Sequence, residues 1–149
     1  MQIKNTKRKI IYKSSASTIA EALEKVCEKK ISLKFAELRD VNLHGADLIN
    51  INLMRANLQF ANLQWANLKR ANLKGSDLRG ANLEGANMEG ADLRKAKLKF
   101  TNLKKTNLKM ADFREAKIED SNFEGSNFKE AIFQDFDLHF FKQKNRENQ

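Results

Sequence analysis

From Leu33 to Leu138 a large apolar residue recurs at every fifth position without a miss. Sixteen of these 22 positions are Leu and four are Phe, with Met88 and Ile118 completing the set. The residue two before is Ala, Ser or Thr in eighteen units, and the residue just before is Asn or Asp in seventeen. The unit is therefore Ala-Asn/Asp-Leu-X-X. A period of five suits neither a helical stripe near 3.6 nor a strand alternation of two, so the chain must turn once per unit. If Leu and Ala point inward and X-X makes a corner, each unit forms one side of a prism, and four such sides would close a square coil of about twenty residues. Stacking at a strand spacing of roughly 4.8 Å gives a rod of about five and a half coils, on the order of 26 Å long.

The glycines agree with this corner assignment. All six, Gly45, Gly75, Gly80, Gly85, Gly90 and Gly125, stand two residues after the apolar position, where a type II turn requires positive φ. The run Gly75 to Gly90 predicts one full coil of type II corners, and corners holding Lys, Arg, Phe or Asp are expected to be type I or irregular. Proline, whose missing N–H would break pairing between coils, is absent. Residues twenty apart should lie one above another, so Asn42, Asn62, Asn82, Asn102 and Asn122 are expected to form a ladder of side-chain amides.

These residues resemble the pentapeptide repeat proteins, whose consensus is A(D/N)LXX. Ala56-Asn57-Leu58, Ala61-Asn62-Leu63, Ala66-Asn67-Leu68, Ala71-Asn72-Leu73 and Ala81-Asn82-Leu83 match it without deviation. The resemblance covers residues 31 to 138 and implies a right-handed quadrilateral β-helix, an all-β solenoid; the handedness and the number of sides come from the resemblance, the period and the inward faces from the residues. It is nearly silent on activity.

Three segments follow. Residues 1–30 form a basic arm and a capping helix, 31–138 the repeat, and 139–149 an aromatic cap with a polar tail. Within residues 17–29, Thr18 and Glu21 make a capping box, and Ile19, Leu23, Val26 and Cys27 share the face that covers the rod's end. Cys27, the single cysteine, reads as a small buried residue. Ile10, Ile11 and Tyr12 are expected to add a strand to the first coil. The last coils change their inward residue to Phe113, Phe123, Phe128 and Phe133, and the apolar excess at Phe136, Leu138, Phe140 and Phe141 is expected to form a homodimer interface. The competing expectation is an intramolecular lid.

No constellation for catalysis, metal or cofactor is legible, so an enzyme is not expected. His44 and His139 are far apart on the rod, and Ser76, Ser121 and Ser126 occupy the inward small-residue slot. Asp47, Asp77, Asp92 and Asp112 fill the slot that Asn takes elsewhere. No run is long enough to span a membrane, and the basic N-terminus lacks the apolar core of a signal peptide. The chain reads as soluble and cytoplasmic.

The formal net charge is +9. Residues 94–109 carry seven basic residues and no acid, whereas residues 112–137 carry eight acids against Arg114, Lys117 and Lys129. Lys34, Lys74, Arg94 and Arg114 should stack in a column interrupted by Met54, able to follow a phosphate backbone. Phe60 and Phe100 should share a corner column with Gly80 leaving a notch between them, and Trp65 sits at the next corner, forming a candidate patch for another protein. The leading reading is a rigid scaffold for protein–protein interaction. Two alternatives stand behind it. The resemblance implies a gyrase-interacting DNA mimic, which the positive charge opposes. The basic arm suggests a binder of nucleic acid or an anionic surface, opposed by the lack of a base-reading motif.

Overall fold

Seventeen parallel backbone bridges, from Ser32–Asn52 to Asp112–Ile132, each join residues twenty apart, so four pentapeptides make one coil. The structure is a computed structural model and describes residues 1–134. In a middle unit every backbone N–H has an acceptor. Ala66 N bonds Leu63 O across the turn at 3.1 Å, Asn67 N reaches back to Ala46 O at 2.9 Å, Leu68 N reaches forward to Asn87 O at 2.7 Å, and Arg70 N reaches Glu89 O at 2.8 Å. The fifth, Lys69 N, donates to the Asn67 side chain, Oδ1, at 3.4 Å. This is the physical reason that Asn or Asp stands before the inward residue in most units: the side chain supplies the one acceptor that neighbouring coils do not.

The corners correct the expectation from glycine. Every third turn residue from Phe35 to Glu130 has φ between 55° and 69°, fourteen of them not glycine, including Phe60, Trp65, Arg70 and Lys105. Since the second turn residue keeps negative φ and a turn bond closes from Leu O to Ala N, the corners are all type II. A left-handed residue costs roughly 1–2 kcal/mol. It is accepted because the corner N–H must point at the following coil, as Trp65 N does to Glu84 O at 3.0 Å. Stack register therefore overrides local preference.

The amide ladder also stands elsewhere than expected. In the Asn42 column only Asn102 Nδ2 to Asn82 Oδ1, at 3.0 Å, links one coil to the next. The neighbouring column holds three rungs, Asn87 to Asn67, Asn107 to Asn87 and Asn127 to Asn107. Replacing Asn82 by Ala removes an acceptor for Glu84 N and for Asn102, and is expected to lower stability by about 1–2 kcal/mol. Asn82→Asp keeps both acceptors and should lose well under half of that, as urea unfolding would read.

Inside, Leu33 to Leu108, Met88 and Phe113 are buried together with the Ala column in one continuous core. Hydroxyls in the small-residue slot are satisfied by carbonyls: Ser76 Oγ donates to Leu73 O at 2.7 Å, Thr101 Oγ1 to Leu78 O at 2.9 Å and Ser121 Oγ to Leu98 O at 2.6 Å. Near the described C-terminal end, Phe113 stacks on Phe133 with ring centroids 4.8 Å apart.

Before the first coil stand three elements. β1 (Gln2–Lys4) pairs antiparallel with β2 (Ile10–Lys13), and α1 spans Ile19–Glu28. The strand at the first coil is not the expected Ile10–Tyr12, which belongs to the hairpin. The contact is made by the end of β1, where Glu37 N donates to Lys4 O at 2.8 Å and Thr6 N to Phe35 O at 2.9 Å. Ile3 buries its side chain in the core there. In α1, Thr18 Oγ1 accepts from Glu21 N. The reciprocal contact goes to Ser17, whose N and Oγ both donate to the Glu21 carboxylate. Ala22, Leu23 and Val26 are buried, whereas Ile19 and Cys27 are only partly so.

Candidate functional site

Because the coil period is twenty, a corner side chain finds the next coil's corner directly beside it. The coil of corners Gly75, Gly80, Gly85 and Gly90 thereby receives Arg55, Phe60, Trp65 and Arg70 from the coil before. A Cβ added to Gly80 would lie 2.6 Å from Phe60 Cδ1 and Cε1, and one added to Gly85 would lie 2.3 Å from Trp65 Cε3 and Cζ3. Both rings thus rest on glycine backbone. At Gly75 and Gly90 the neighbours are the Arg55 and Arg70 stems, at 3.3 and 3.5 Å. The expected notch at Gly80 is filled by the ring of Phe60 itself. Sequence analysis missed this pairing, although its signal, an aromatic twenty residues before a glycine, was present.

The rings remain exposed all the same: Phe60 by 52%, Trp65 by 57% and Phe100 by 64%. Cations attend two of them, with Arg39 Cζ 4.7 Å from the Phe60 ring centroid and Lys99 Nζ 4.9 Å from that of Phe100. Such contacts are worth roughly 0.5–1 kcal/mol at exposed sites.

The basic column Lys34, Lys74, Arg94 and Arg114 does share one face, since its flanking residues are bridged coil to coil. Two of its charges are neutralised locally. Arg94 Nη2 lies 2.6 Å from Asp92 Oδ2, and Arg114 Nη2 lies 2.6 Å from Asp112 Oδ2. These aspartates also accept the turn N–H of Arg94 and Arg114, at 3.1 Å each. The hydrogen bonds from Arg94 hold the Asp92 carboxyl below its ordinary value, with burial opposing, and Arg114 does the same for Asp112. Since the folded-state value lies below the unfolded one near 3.9, this stabilisation is full at neutral pH and disappears as pH falls through the lowered value. Carboxyl titration by NMR should find both midpoints below the ordinary range, and Arg94→Gln should raise that of Asp92.

Between α1 and the first coils lies a recess of about 430 Å³ lined by Val26, Cys27, Ile31, Ile49 and Ile51 among others. Burial, then Asp47 and Glu24, push the Cys27 thiol up to about 11, so it stays protonated at neutral pH. Among the described residues no group of three or more His, Cys, Asp or Glu side chains could hold a metal ion, and no helix is long and apolar enough to cross a membrane. His44 stands on an exposed corner. Phe136, Leu138, Phe140, Phe141 and His139 lie outside the described residues.

The geometry has known counterparts. Residues 36–75, 71–109 and 107–139 match the family profile described as pentapeptide repeats, in eight copies. A pentapeptide repeat protein of the Arabidopsis thaliana thylakoid lumen is 26% identical, with a TM-score of 0.58, covering 75% of this chain and 74% of its own. HetL, a pentapeptide repeat protein involved in heterocyst differentiation regulation from the cyanobacterium Nostoc sp. strain PCC 7120, is 26% identical with a TM-score of 0.55, over 66% of this chain and 56% of its own. QnrB1, a plasmid-mediated fluoroquinolone resistance protein, shares the fold at 14% identity, with a TM-score of 0.50, over 72% of this chain and 64% of its own. No curated protein sequence matches the chain.

Proposed function

The chain belongs to the pentapeptide repeat family, whose fold is a right-handed quadrilateral β-helix, and from that premise we propose that it is a non-enzymatic scaffold binding another protein along the rod. The observation that carries this reading is the display of Phe60 and Trp65 on adjacent corners, each ring seated on glycine and about half exposed. Rings held in place lose little conformational freedom on binding, which is why aromatic anchors dominate protein interfaces. Phe100 extends the Phe60 column one coil beyond Gly80. The Arg94 and Arg114 pairs leave Lys34 and Lys74 as the freer charges of the basic column. In this reading α1 covers the N-terminal end of the stack, keeping the first Leu layer from water.

Two variants test it. Phe60→Ser and Trp65→Ser should each lose captured partners in affinity isolation while melting with wild type, and an unchanged partner set would remove the patch. The topoisomerase reading is opposed by the net charge of +9, and the likeness to QnrB1 carries the fold alone. A gyrase supercoiling assay should accordingly show no effect of the protein at concentrations too low to coat the DNA. The two-fold contact through Phe136, Leu138, Phe140 and Phe141 stays a proposal. Sedimentation equilibrium should show a dimer that Phe140→Asp with Phe141→Asp converts to a folded monomer.

A further inference from the structure

Ion pairing divides the molecule's positive charge into two populations. Between residues 35 and 134 the chain has sixteen Lys and Arg side chains. Nine of them are ion-paired, among them Lys69 with Glu89, Arg79 with Asp77, Lys95 with Glu115 and Lys104 with Glu124. Residues 1–34 hold nine more, against only Glu21, Glu24 and Glu28, and among the described residues none of these nine is ion-paired. Two of these three acids are engaged otherwise. Glu21 accepts from Ser17, and Glu24 Oε1 accepts from Asp47 N at 3.1 Å. Seven cations between residues 35 and 134 also stand outside ion pairs among the described residues, but thirteen acids lie in that stretch, so its excess is only +3 against +6 for residues 1–34, and most of the net charge of +9 sits at the N-terminal end of the rod.

The loop at that end is also held by hydrogen bonds. Between β1 and β2, Asn5 Oδ1 accepts from Lys7 N at 3.0 Å and Lys9 N at 2.9 Å, while Arg8 N bonds Asn5 O at 2.8 Å. The loop is tied to the first coil by Thr6 N to Phe35 O. Lys7, Arg8 and Lys9 are all exposed on it, as are Lys4, Lys13, Lys29, Lys30 and Lys34 nearby in the chain.

We infer that the N-terminal end of the rod docks on the phosphate backbone of duplex nucleic acid, with Lys7, Arg8 and Lys9 as the leading contacts. Unpaired cations on a fixed loop suit phosphates at fixed spacing, and they lose no internal partner on binding. A bilayer surface fits less well, because α1 has already buried its apolar face at Ala22, Leu23 and Val26 and has none left to insert. The contact reads no bases, so binding is expected to be indifferent to sequence and strongly dependent on salt. It leaves the corner patch of the rod free for a protein.

Fluorescence anisotropy of a labelled 20-base-pair duplex, titrated with the full chain at several salt concentrations, tests this. Wild type should bind in the micromolar range at low salt. Lys7→Gln, Arg8→Gln and Lys9→Gln together should weaken binding by tenfold or more and flatten the log–log salt slope by about 2–3, since each lost phosphate contact removes about 0.9. Lys69→Gln, Lys95→Gln and Lys104→Gln, which remove three paired cations of the rod, should change affinity by less than about twofold. A second variant, Lys29→Gln with Lys34→Gln, spares the hairpin and should still weaken binding. Equal losses in the hairpin and rod variants would overturn the inference. So would no binding by wild type, or retention on vesicles containing phosphatidylserine without duplex binding.

Discussion

Leu68→Lys is expected to unfold the rod. The side chain is fully buried among its neighbours in the Leu column, and cutting such a Leu to Ala already costs about 3–5 kcal/mol. A lysine adds the penalty of an unpaired charge with no buried acid to meet it. Domain stabilities are themselves about 5–15 kcal/mol, so the variant should lack a cooperative melting transition. Leu83→Lys should behave in the same way. Next in sequence to Leu68, Lys69→Glu exchanges a half-buried pair with Glu89, 3.3 Å away, for a like-charge contact at the surface, and should cost about 1 kcal/mol. Urea unfolding of the pair checks the inward assignment, and equal midpoints would refute it.

The second large effect is expected at Gly85. Gly85→Ala meets two penalties, the left-handed backbone at φ +68° and a Cβ 2.3 Å from the Trp65 ring. The first costs about 1–2 kcal/mol, and the second forces the indole off the corner. Gly45 separates the two terms, because it has φ +67° and nothing within 4 Å of an added Cβ. Gly45→Ala should therefore lose only the backbone cost, while Gly85→Ala should lose more and shift the emission of the single tryptophan to longer wavelength. Trp65→Ala in the Gly85→Ala background should recover the difference. If the two alanine variants melt alike and the emission stays put, the ring does not rest on that glycine.

How much of this was legible depends on whether a residue answers to its own unit or to the next coil. The Leu and Ala faces, the corner glycines and the Thr18 cap were readable because each is set within a few residues of chain. The sequence points to the Asn42 column for the amide ladder because Asn stands at all five of its positions, whereas the neighbouring column begins with Asp47. Which amides meet depends on small differences in side-chain orientation between stacked coils. Phe60 was expected beside an open notch for a similar reason: composition shows that Gly80 is small, but only the stacking shows that Phe60 leans into the space.

By itself the sequence determined the five-residue period, the identity of the inward column, the need for Asn or Asp beside it and the total charge. Each of these is a property of composition and spacing, and a period of five excludes both a helical stripe and an alternating strand. Only the tertiary structure decided that every corner is left-handed whatever residue stands there, because the bonds that fix φ come from a coil twenty residues away. It also decided which charges remain available. Arg79, Arg94 and Arg114 find acids two residues before them, and Lys69, Lys95 and Lys104 find acids twenty residues on. Among the described residues the cations of residues 1–34 find none, and all but Lys34 stand before the first coil, outside the stacked lattice in which nine of the later cations meet their acids.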